Sequence, residues 1–213
     1  KATVMKFNGT TWVTVGSAGF SAGLASDISL ALNSSGEPYV AFQDGTNSSV
    51  TVMKFNGTTW DIIGSAGFSS GLATHISLAF NSSDEPYVAF RDGANFYKAT
   101  VMKFNGTSWV TVGSAGFSAG GASNNSLVFN SSGEPYVAYS DGGNSLKATV
   151  MKFNGTSWVT IGSAGFSAGS AIYTSLDFNS SGEPYVAYSD GNNSSKATVM
   201  KFNGRSWVTV GSA

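Results

Sequence analysis

The chain has 213 residues and a formal net charge of −1 at neutral pH, from 11 Lys and Arg against 12 Asp and Glu. Hydrophobic residues make up 41% and charged residues only 11%, which is the composition of a folded protein and not of a disordered one. This charge balance offers no basic surface to hold a nucleic acid backbone, and no apolar stretch approaches the roughly 18 residues of a membrane span. Cysteine is absent, which excludes disulfides, thiolate zinc sites and cysteine nucleophiles.

An internal repeat runs through the whole chain. The segment Met-Lys-Phe-Asn-Gly returns every 48 or 49 residues, and a Trp follows it each time. A second segment, Glu-Pro-Tyr-Val-Ala, returns at the same spacing. The first segment occurs five times and the second four times, beginning at Met5, Met53, Met102, Met151 and Met200, and at Glu37, Glu85, Glu134 and Glu183.

Each full repeat predicts four short strands, which the third copy illustrates at residues 126–129, 135–139, 149–153 and 158–161. Pro135 stands at the first position of its strand, where a missing N–H is tolerated. The pair Asn154-Gly155 predicts a two-residue hairpin turn, because this dipeptide accepts positive φ angles. A connection rich in Gly, Ser and Ala leads to the next copy.

Four short antiparallel strands per repeat are typical of a propeller blade. The strands carry apolar groups on both faces, as in Tyr-Val-Ala-Tyr, which fits blades that are covered on both sides. A β-solenoid is the alternative, but its coils are shorter and do not require an Asn-Gly hairpin in every unit. The sequence therefore predicts an all-β protein, a β-propeller of four-stranded antiparallel blades.

The repeat boundaries divide one domain, 1–213, into a half blade (1–18) and four complete blades (19–64, 65–113, 114–162 and 163–213). This count suits a five-blade ring that lacks two strands. Those strands could come from another chain, from flanking sequence or not at all, and a four-blade ring with an additional hairpin also remains open. Because the chain begins and ends inside a repeat, we expect a mature piece or a piece of a longer repeat protein.

The repeat, written PYVAY-D followed by KATVMKFNGTSWVTVGSAGFSAG, resembles propeller repeats of about 50 residues in bacterial and environmental surface proteins. This resemblance implies a propeller fold and a secreted or cell-surface localisation, but no settled activity. The Asp-box propeller motif, Ser-x-Asp-x-Gly-x-x-Trp, is matched only at its end, by Gly106 and Trp109. Met102 and Phe104 occupy its Ser and Asp positions, so no sialidase chemistry is implied.

Loops alternate between the two ends of an antiparallel blade. We expect the Asp-Gly-x-Asn loop and the long Gly-rich connection at one end, here called the variable end, because the copies differ most there. The positions that differ include Asp27, His75, Asn124 and Tyr173 just before the innermost strand, and Gln43, Arg91, Ser140 and Ser189 at the end of the second strand. Binding sites often use loops on a rigid scaffold, so the variable end is the candidate surface, although drift of exposed loops gives the same pattern.

The candidate ligand-binding residues are the repeated Phe of the connection and the repeated Asp and Asn of the loop. They are Phe20, Phe68, Phe117 and Phe166; Asp44, Asp92, Asp141 and Asp190; and Asn47, Asn95, Asn144 and Asn193. The Phe rings could stack on a sugar or fill the gap between blades. The Asp side chains could bind calcium, but a single carboxylate beside Gly is typical of a turn that caps its own backbone. We therefore predict no metal and no cofactor.

The sequence gives little support for catalysis. His75 is the only histidine and has no partner in a triad or zinc motif. Glycosidases need two carboxylates about 5–10 Å apart, whereas the repeated Glu residues occur once per blade. The repeated Trp could stack on sugars, but its constant place in the fourth strand favours packing against the next blade. The sequence predicts that the chain is not an enzyme.

These observations favour a non-catalytic binding module with several equivalent shallow sites, most plausibly for glycans, which would gain strength from multivalency. The alternative is a structural repeat with no small-molecule ligand, such as a surface scaffold, a filament piece or an engineered propeller fragment. In that case the chain would self-associate through the edges of its incomplete blade.

Overall fold

The structure, a computed structural model, describes residues 1–211. It contains a two-stranded hairpin and four four-stranded antiparallel sheets, each built from consecutive strands. No sheet within residues 1–211 closes on itself. The predicted fold class, a β-propeller with four complete blades and a half blade, is confirmed.

The strands follow one another in the same order in every unit. The half blade is the hairpin of β1 (Met5–Phe7) and β2 (Trp12–Thr14), and blade I consists of β3 (Ala25–Leu32), β4 (Pro38–Asp44), β5 (Ser49–Phe55) and β6 (Trp60–Ile62). Blade II consists of β7 (Ala73–Phe80), β8 (Pro86–Asp92), β9 (Lys98–Phe104) and β10 (Trp109–Thr111), and blade III of β11 (Ala122–Phe129), β12 (Pro135–Asp141), β13 (Lys147–Phe153) and β14 (Trp158–Thr160). Blade IV consists of β15 (Ala171–Phe178), β16 (Pro184–Asp190), β17 (Lys196–Phe202) and β18 (Trp207–Thr209). Short 3-10 helices at Gly93–Asn95, Gly142–Asn144 and Gly191–Asn193 join the second strand of blades II to IV to the third. No helix among the described residues has the length and apolarity needed to cross a membrane.

The hairpin between the third and fourth strands has a four-residue loop, not the predicted two-residue turn. In blade III, Phe153 pairs with Trp158, which leaves residues 154–157 in the loop. The side-chain oxygen of Asn154 accepts hydrogen bonds from the backbone N–H of Thr156 and Ser157. Asn is thus selected here as a side-chain cap, and only Gly155 adopts a positive φ, of 94°.

The innermost strand is longer than predicted and contains a β-bulge. In blade III it begins at Ala122, and the register shifts between Ser123 and Ser126, where Asn124 has a φ of 54°. Asp27, His75 and Tyr173 occupy the same position with positive φ in the other blades. The sequence placed these four residues before the strand, but they lie inside it, because a bulge interrupts the alternation that marks a strand.

The core lies between successive blades. On the second strand of blade III, Val137 and Tyr139 pack against blade II, whereas Tyr136 and Ala138 pack against blade IV. Successive residues of a strand point to opposite faces, so both faces of each inner blade are covered. This explains why the strands are apolar on both sides. The inner strands are also joined across blades, since the N–H of Leu127 donates to the hydroxyl of Ser77 at 3.0 Å.

Candidate functional site

The long connection between blades is hydrogen-bonded to the third strand of the preceding blade and packs against the loops of the variable end. The N–H of Val112 and the N–H of Phe117 donate to the carbonyls of Val101 and Ala99, each at 2.9 Å. Between these bonds the chain makes a bulge in which Gly113 and Gly116 have φ of 72° and 61°. Phe117 and its equivalents lie outside the strands, as predicted, but their segment stays hydrogen-bonded to the third strand, because glycine lets the extra residues bulge out while the backbone pairing continues.

Each Phe of the connection fills the gap between two blades. Its ring stacks on the indole of the following blade: Phe20 on Trp60, Phe68 on Trp109, Phe117 on Trp158 and Phe166 on Trp207, with ring centroids 4.1 to 4.3 Å apart. One face of each Phe ring is thus occupied within the protein. Of the two roles considered, the structure describes the gap-filling one, and ligand binding by these rings stays a prediction.

The repeated Trp residues pack against the preceding blade, not the next one as expected. The indole Nε1 of Trp60 donates to the carbonyl of Val15 at 2.9 Å, and the other complete blades repeat this bond. Trp12 of the half blade is the exception and is exposed.

The repeated Asp residues are buried and hydrogen-bonded within their own loops. In blade III, Asp141 accepts from the N–H of Gly143 through Oδ1, and from Asn144 Nδ2 and Thr149 Oγ1 through Oδ2. Asp44, Asp92 and Asp190 likewise accept the N–H two residues ahead. The carboxylates serve as loop caps, and among residues 1–211 no group of three or more His, Cys, Asp or Glu is placed to hold a metal ion.

The repeated Asn residues have less uniform roles. Asn95 and Asn144 donate to the capping Asp of their own loops, and Asn47 accepts the N–H of Ser49. The Nδ2 of Asn193 is buried without a hydrogen-bond partner among the described residues. Ligand binding by the loop Asp and Asn therefore has no direct support, and it stays a prediction.

The variable end carries one polar cluster that breaks the repeat. The N–H of His75 donates to Asp27 Oδ1 at 2.8 Å, and the guanidinium of Arg91 lies 4.5 Å from the centre of the Tyr97 ring. Burial lowers the pKa of His75; the Asp27 carboxylate opposes this shift and the Arg91 guanidinium adds to it. The ring is thus held as a neutral donor and acceptor.

The clearest concave site lies at the opposite end of the blades, which we call the turn end. It is formed by the loops after the first and third strands. Between blades II and III this end has a pocket of about 460 Å³. We call this and its equivalents the turn-end pockets. The lining comprises Tyr87, Lys103, Thr111, Val112 and Gly113 from blade II, and Gly133, Glu134, Pro135, Phe153, Asn154 and Gly155 from blade III.

Equivalent residues line two further turn-end pockets. The one between the half blade and blade I measures about 500 Å³ and includes Lys6, Glu37 and Phe55. The one between blades I and II measures only about 200 Å³ and includes Tyr39, Glu85 and Phe104. The repeat thus places an aromatic ring and a carboxylate at successive blade junctions.

The charged groups of these pockets are fixed by a repeated network. In blade III, Glu134 accepts from Asn130 Nδ2 at 2.6 Å and from Lys152 Nζ at 2.8 Å. The Lys152 ammonium also lies 5.9 Å from the centre of the Tyr136 ring. The same ion pair joins Lys54 to Glu37, Lys103 to Glu85 and Lys201 to Glu183, at 2.7 to 3.4 Å.

These contacts keep both groups charged. The hydrogen bond from Lys152, helped by one from Asn130, lowers the pKa of the Glu134 carboxyl, and the same pairing raises the pKa of Lys152. Glu37 and Glu183 also have lowered pKa values, from their bonds to Lys and Asn. The pocket between blades II and III therefore presents a fixed acceptor, Glu134, and a fixed donor, Lys103, beside aromatic and apolar groups.

One side chain explains why the pocket between blades I and II is small. Asp84 stands where the other blades have Gly36, Gly133 and Gly182, and its carboxylate accepts from the N–H and the hydroxyl of Ser34. These bonds cross from blade II to blade I and narrow the pocket. Asp84 is thus a natural variant within the repeat.

The turn-end pockets were missed because their residues are uniform, whereas the sequence argument followed variation. The signal was present in the pairing of Tyr and Lys on adjacent strands, since Tyr87 and Lys103 stand opposite each other in the register. The Glu before each Pro was considered only as an acid or base, and one per blade counted against that role. Only the three-dimensional structure reveals that this Glu lies across a blade junction from the Tyr and Lys of the preceding blade.

Comparison with known proteins identifies the fold class but no family. No protein-family model and no curated protein matches the sequence. Among solved structures, the chain is similar to an exo-β-1,3-galactanase from Clostridium thermocellum, with 12% identity over 89% of this chain and 49% of that one and a TM-score of 0.56. It is also similar to an endo-1,4-β-xylanase from Bacteroides thetaiotaomicron, with 11% identity over 99% and 85% of the two chains and a TM-score of 0.57.

A third similar structure is a polysaccharide lyase of the PL25 ulvan lyase type, with 13% identity over 85% of this chain and 56% of that one and a TM-score of 0.55. At these identities the likeness shows the β-propeller fold alone, and the chain spans about half the length of the galactanase.

The prediction that the chain is not an enzyme is wrong, because it excluded catalysis altogether. It rested on the absence of a recognisable catalytic motif in a repeat of near-identical units. Solved structures with the same propeller fold include glycoside hydrolases and a polysaccharide lyase, so the fold is compatible with catalysis.

Proposed function

We propose that the chain binds saccharides in its turn-end pockets, with several equivalent sites per molecule. The observation that carries this proposal is the recurrence of a Glu carboxylate beside a Phe ring at successive blade junctions, with a Lys, a Tyr or both added from the preceding blade. A secreted or cell-surface localisation, expected from the repeat type, belongs to the same proposal.

The chemistry of the pocket suits a neutral, hydroxyl-rich ligand. Phe153 and Tyr87 supply apolar surface from the two blades that form the pocket between blades II and III, and Lys103 and Glu134 add one charged group from each blade. Both charged groups already have partners in their own blades, so a ligand has no net charge to neutralise. It gains hydrogen bonds from groups whose positions are fixed, which lowers the entropic cost of binding.

The comparisons support a carbohydrate-related role at the level of the fold. The similar solved structures are described as a galactanase, a xylanase and an ulvan lyase, all of which act on polysaccharides. A polymer with repeating units could occupy several pockets of one molecule, and linked weak sites bind more tightly than single ones.

The proposal is tested by isothermal titration of oligosaccharides, chosen from a glycan array, against the intact chain and a Lys103→Gln variant. Lys103 lines only the pocket between blades II and III. We expect the number of binding sites to fall by one while the remaining sites keep their affinity. The matched control is Lys196→Gln, an exposed Lys at the variable end, which should leave both quantities unchanged.

Three results would count against this proposal. Binding that saturates at one ligand and responds to Arg91→Gln but not to Lys103→Gln would place the site at the variable end. Equal effects of Lys103→Gln and Lys196→Gln would indicate nonspecific attraction to charge. No binding to any saccharide would remove the proposal. The incubated saccharides are also analysed for cleavage products, since the fold is compatible with catalysis.

A further inference from the structure

The two ends of the blade array expose surfaces that are buried at every other blade junction. On blade IV, Val199 is 36% exposed, whereas its equivalent in blade III, Val150, is fully buried. Ala187 and Ala197 on the same face are exposed, although the corresponding Ala138 and Ala148 of blade III are buried.

The opposite end shows the complementary surface. On the inner strand of blade I, Leu30 is 52% exposed, against 3% for its equivalent Leu127 in blade III. Trp12 of the half blade is 66% exposed, whereas the other four Trp residues are 8 to 9% exposed. Each set of residues therefore lies at a blade junction that is incomplete.

The other junctions show what is missing. Leu127 packs among Tyr87 and Ala89, which lie on the second strand of the preceding blade. The half blade has only its third and fourth strands, β1 and β2, so Leu30 has no such strand beside it. Val150 packs against Ala171 and Leu176 on the first strand of the following blade. Its equivalent on blade IV, Val199, requires a first strand of the same kind.

The free edge of β1 and the charge of Lys6 on that strand both fit the same partner, a second strand of this repeat. Within the described part of the chain, β1 pairs only with β2, whereas the third strand of each complete blade also pairs with a second strand. Lys6 on β1 makes no ion pair within residues 1–211, although its equivalents Lys54 and Lys152 each bind the Glu that precedes a second strand. An incoming second strand would bring that Glu.

We propose that the half blade is a docking site for a β-hairpin made of the first two strands of this repeat. Its second strand would pair with the free edge of β1, which is β-strand addition. One face of the hairpin would cover Leu30, and the other would cover Ala187 and Val199 of blade IV. This proposal does not rest on saccharide binding, although Leu30 and Lys6 also line the turn-end pocket between the half blade and blade I.

A second copy of the chain is not the occupant that the structure favours. In blades I to IV every first and second strand is already hydrogen-bonded to its neighbours within a four-stranded sheet. A folded copy therefore has no free hairpin of this type to offer. A polypeptide with an unincorporated copy of the repeat does.

The test uses a synthetic peptide with the sequence of residues 163–190, which contains the connection and the first two strands of blade IV. Trp fluorescence reports binding, because Trp12 is the exposed Trp among four buried ones. We expect a blue shift that saturates at one peptide per chain and a higher melting temperature. In Trp12→Phe the peptide should still raise the melting temperature, but the spectral shift should be lost.

Matched variants decide whether the peptide occupies the proposed place. Leu30→Asp and Ala187→Arg put a charge on each wall of the site, and each should weaken peptide binding by more than about tenfold. Leu146→Asp changes an exposed apolar residue in a loop at the variable end and should leave binding unchanged. Because all three positions are exposed, the variants are expected to fold, and far-UV circular dichroism checks this.

Several outcomes would overturn the proposal. Failure of the peptide to bind would remove it, and so would insensitivity to Ala187→Arg or to Leu30→Asp, because the hairpin must contact both walls. Sedimentation of the chain without peptide provides a further test. A dimer in which Trp12 is already buried, and which Ala187→Arg dissociates, would identify a second copy as the occupant.

Discussion

The indole Nε1 of Trp158 donates a 2.8 Å hydrogen bond to the backbone carbonyl of Val112 in the preceding blade. The Phe117 ring of the intervening connection stacks on the same indole, 4.2 Å between centroids. One side chain thus joins the outer strand of a blade, the connection and the preceding blade. The position of each blade relative to its neighbour is fixed by a directed bond as well as by apolar packing.

Trp158→Phe removes this bond and leaves the Val112 carbonyl without its partner. We expect the free energy of unfolding to fall by about 1–3 kcal/mol, since a buried acceptor loses its donor. Trp12→Phe is the control, because Trp12 is exposed and makes no equivalent bond, and it should change stability by less than about 0.5 kcal/mol. Urea unfolding monitored by circular dichroism measures both. Equal losses in the two variants would contradict this role.

Gly113 lies against the Trp158 indole and the Phe153 ring. A Cβ at this position would stand 2.8 Å from Phe153 Cε2 and 3.1 Å from Trp158 Cδ1, whereas a Cβ at Gly155 would meet nothing within 4 Å. Both glycines have positive φ, so an alanine is strained at either site. We expect Gly113→Ala to cost about 1–3 kcal/mol more than Gly155→Ala, because only the former also overpacks the junction. A smaller cost for Gly113→Ala, measured by urea unfolding, would mean that the rings move aside freely.

His75 provides a local probe of the variable end, because it is the only histidine of the chain. Burial lowers the pKa of His75, with Asp27 opposing the shift and Arg91 adding to it. We expect an NMR titration to give a pKa below the usual value of about 6.5. Arg91→Gln should raise the pKa of His75, and Asp27→Asn should lower it further. A lower pKa of His75 in Arg91→Gln, or a higher one in Asp27→Asn, would show that these charges do not face the ring.

The same shift predicts how stability depends on pH. Between the folded and unfolded pKa values of His75, the unfolded chain binds more protons than the folded one. The contribution of this group is therefore fully present above about pH 6.5 and is lost as the pH falls through the folded pKa. Replacing His75 with Gln should remove this component from the pH profile of urea unfolding, while the acid loss from carboxylates at lower pH should remain.

The sequence predicted the fold well because the signals that define a blade are local. The Asn-Ser-Ser turn recurs in all four complete blades, as do the Phe-Asn-Gly turn and the apolar strands, so each copy supports the same assignment. The bulge at Asn124 and the course of residues 113–121 were missed, because bulges leave no regular alternation. Backbone pairing that continues past a bulge cannot be distinguished from a loop by composition.

The site was harder to predict because it lies between repeats. Glu134 and Lys103 line one pocket, but they belong to different blades and lie 31 positions apart in the sequence. The variation among copies drew attention to the variable end instead. One of the few variations at the turn end, Asp84, proved informative only when its bonds to Ser34 were visible.

Asp84→Gly should open the pocket between blades I and II. The substitution removes the carboxylate that bridges to Ser34, and glycine tolerates the φ of 58° at this position. The pocket should then approach the size of its equivalent between blades II and III. If the turn-end pockets bind saccharides, isothermal titration should show one more site per chain, or a tighter site at this junction.

The reverse substitution, Gly133→Asp, completes the test. A Cβ at Gly133 would lie 3.8 Å from Ser82 Oγ, and Ser82 is the equivalent of Ser34 in blade II. An Asp there can form the same bridge, and Asp tolerates a positive φ better than most residues. We expect Gly133→Asp to remove one saccharide site while Asp84→Gly adds one. Since the two substitutions exchange the same pair of residues between equivalent junctions, unchanged stoichiometry in both would mean that saccharides do not enter these pockets.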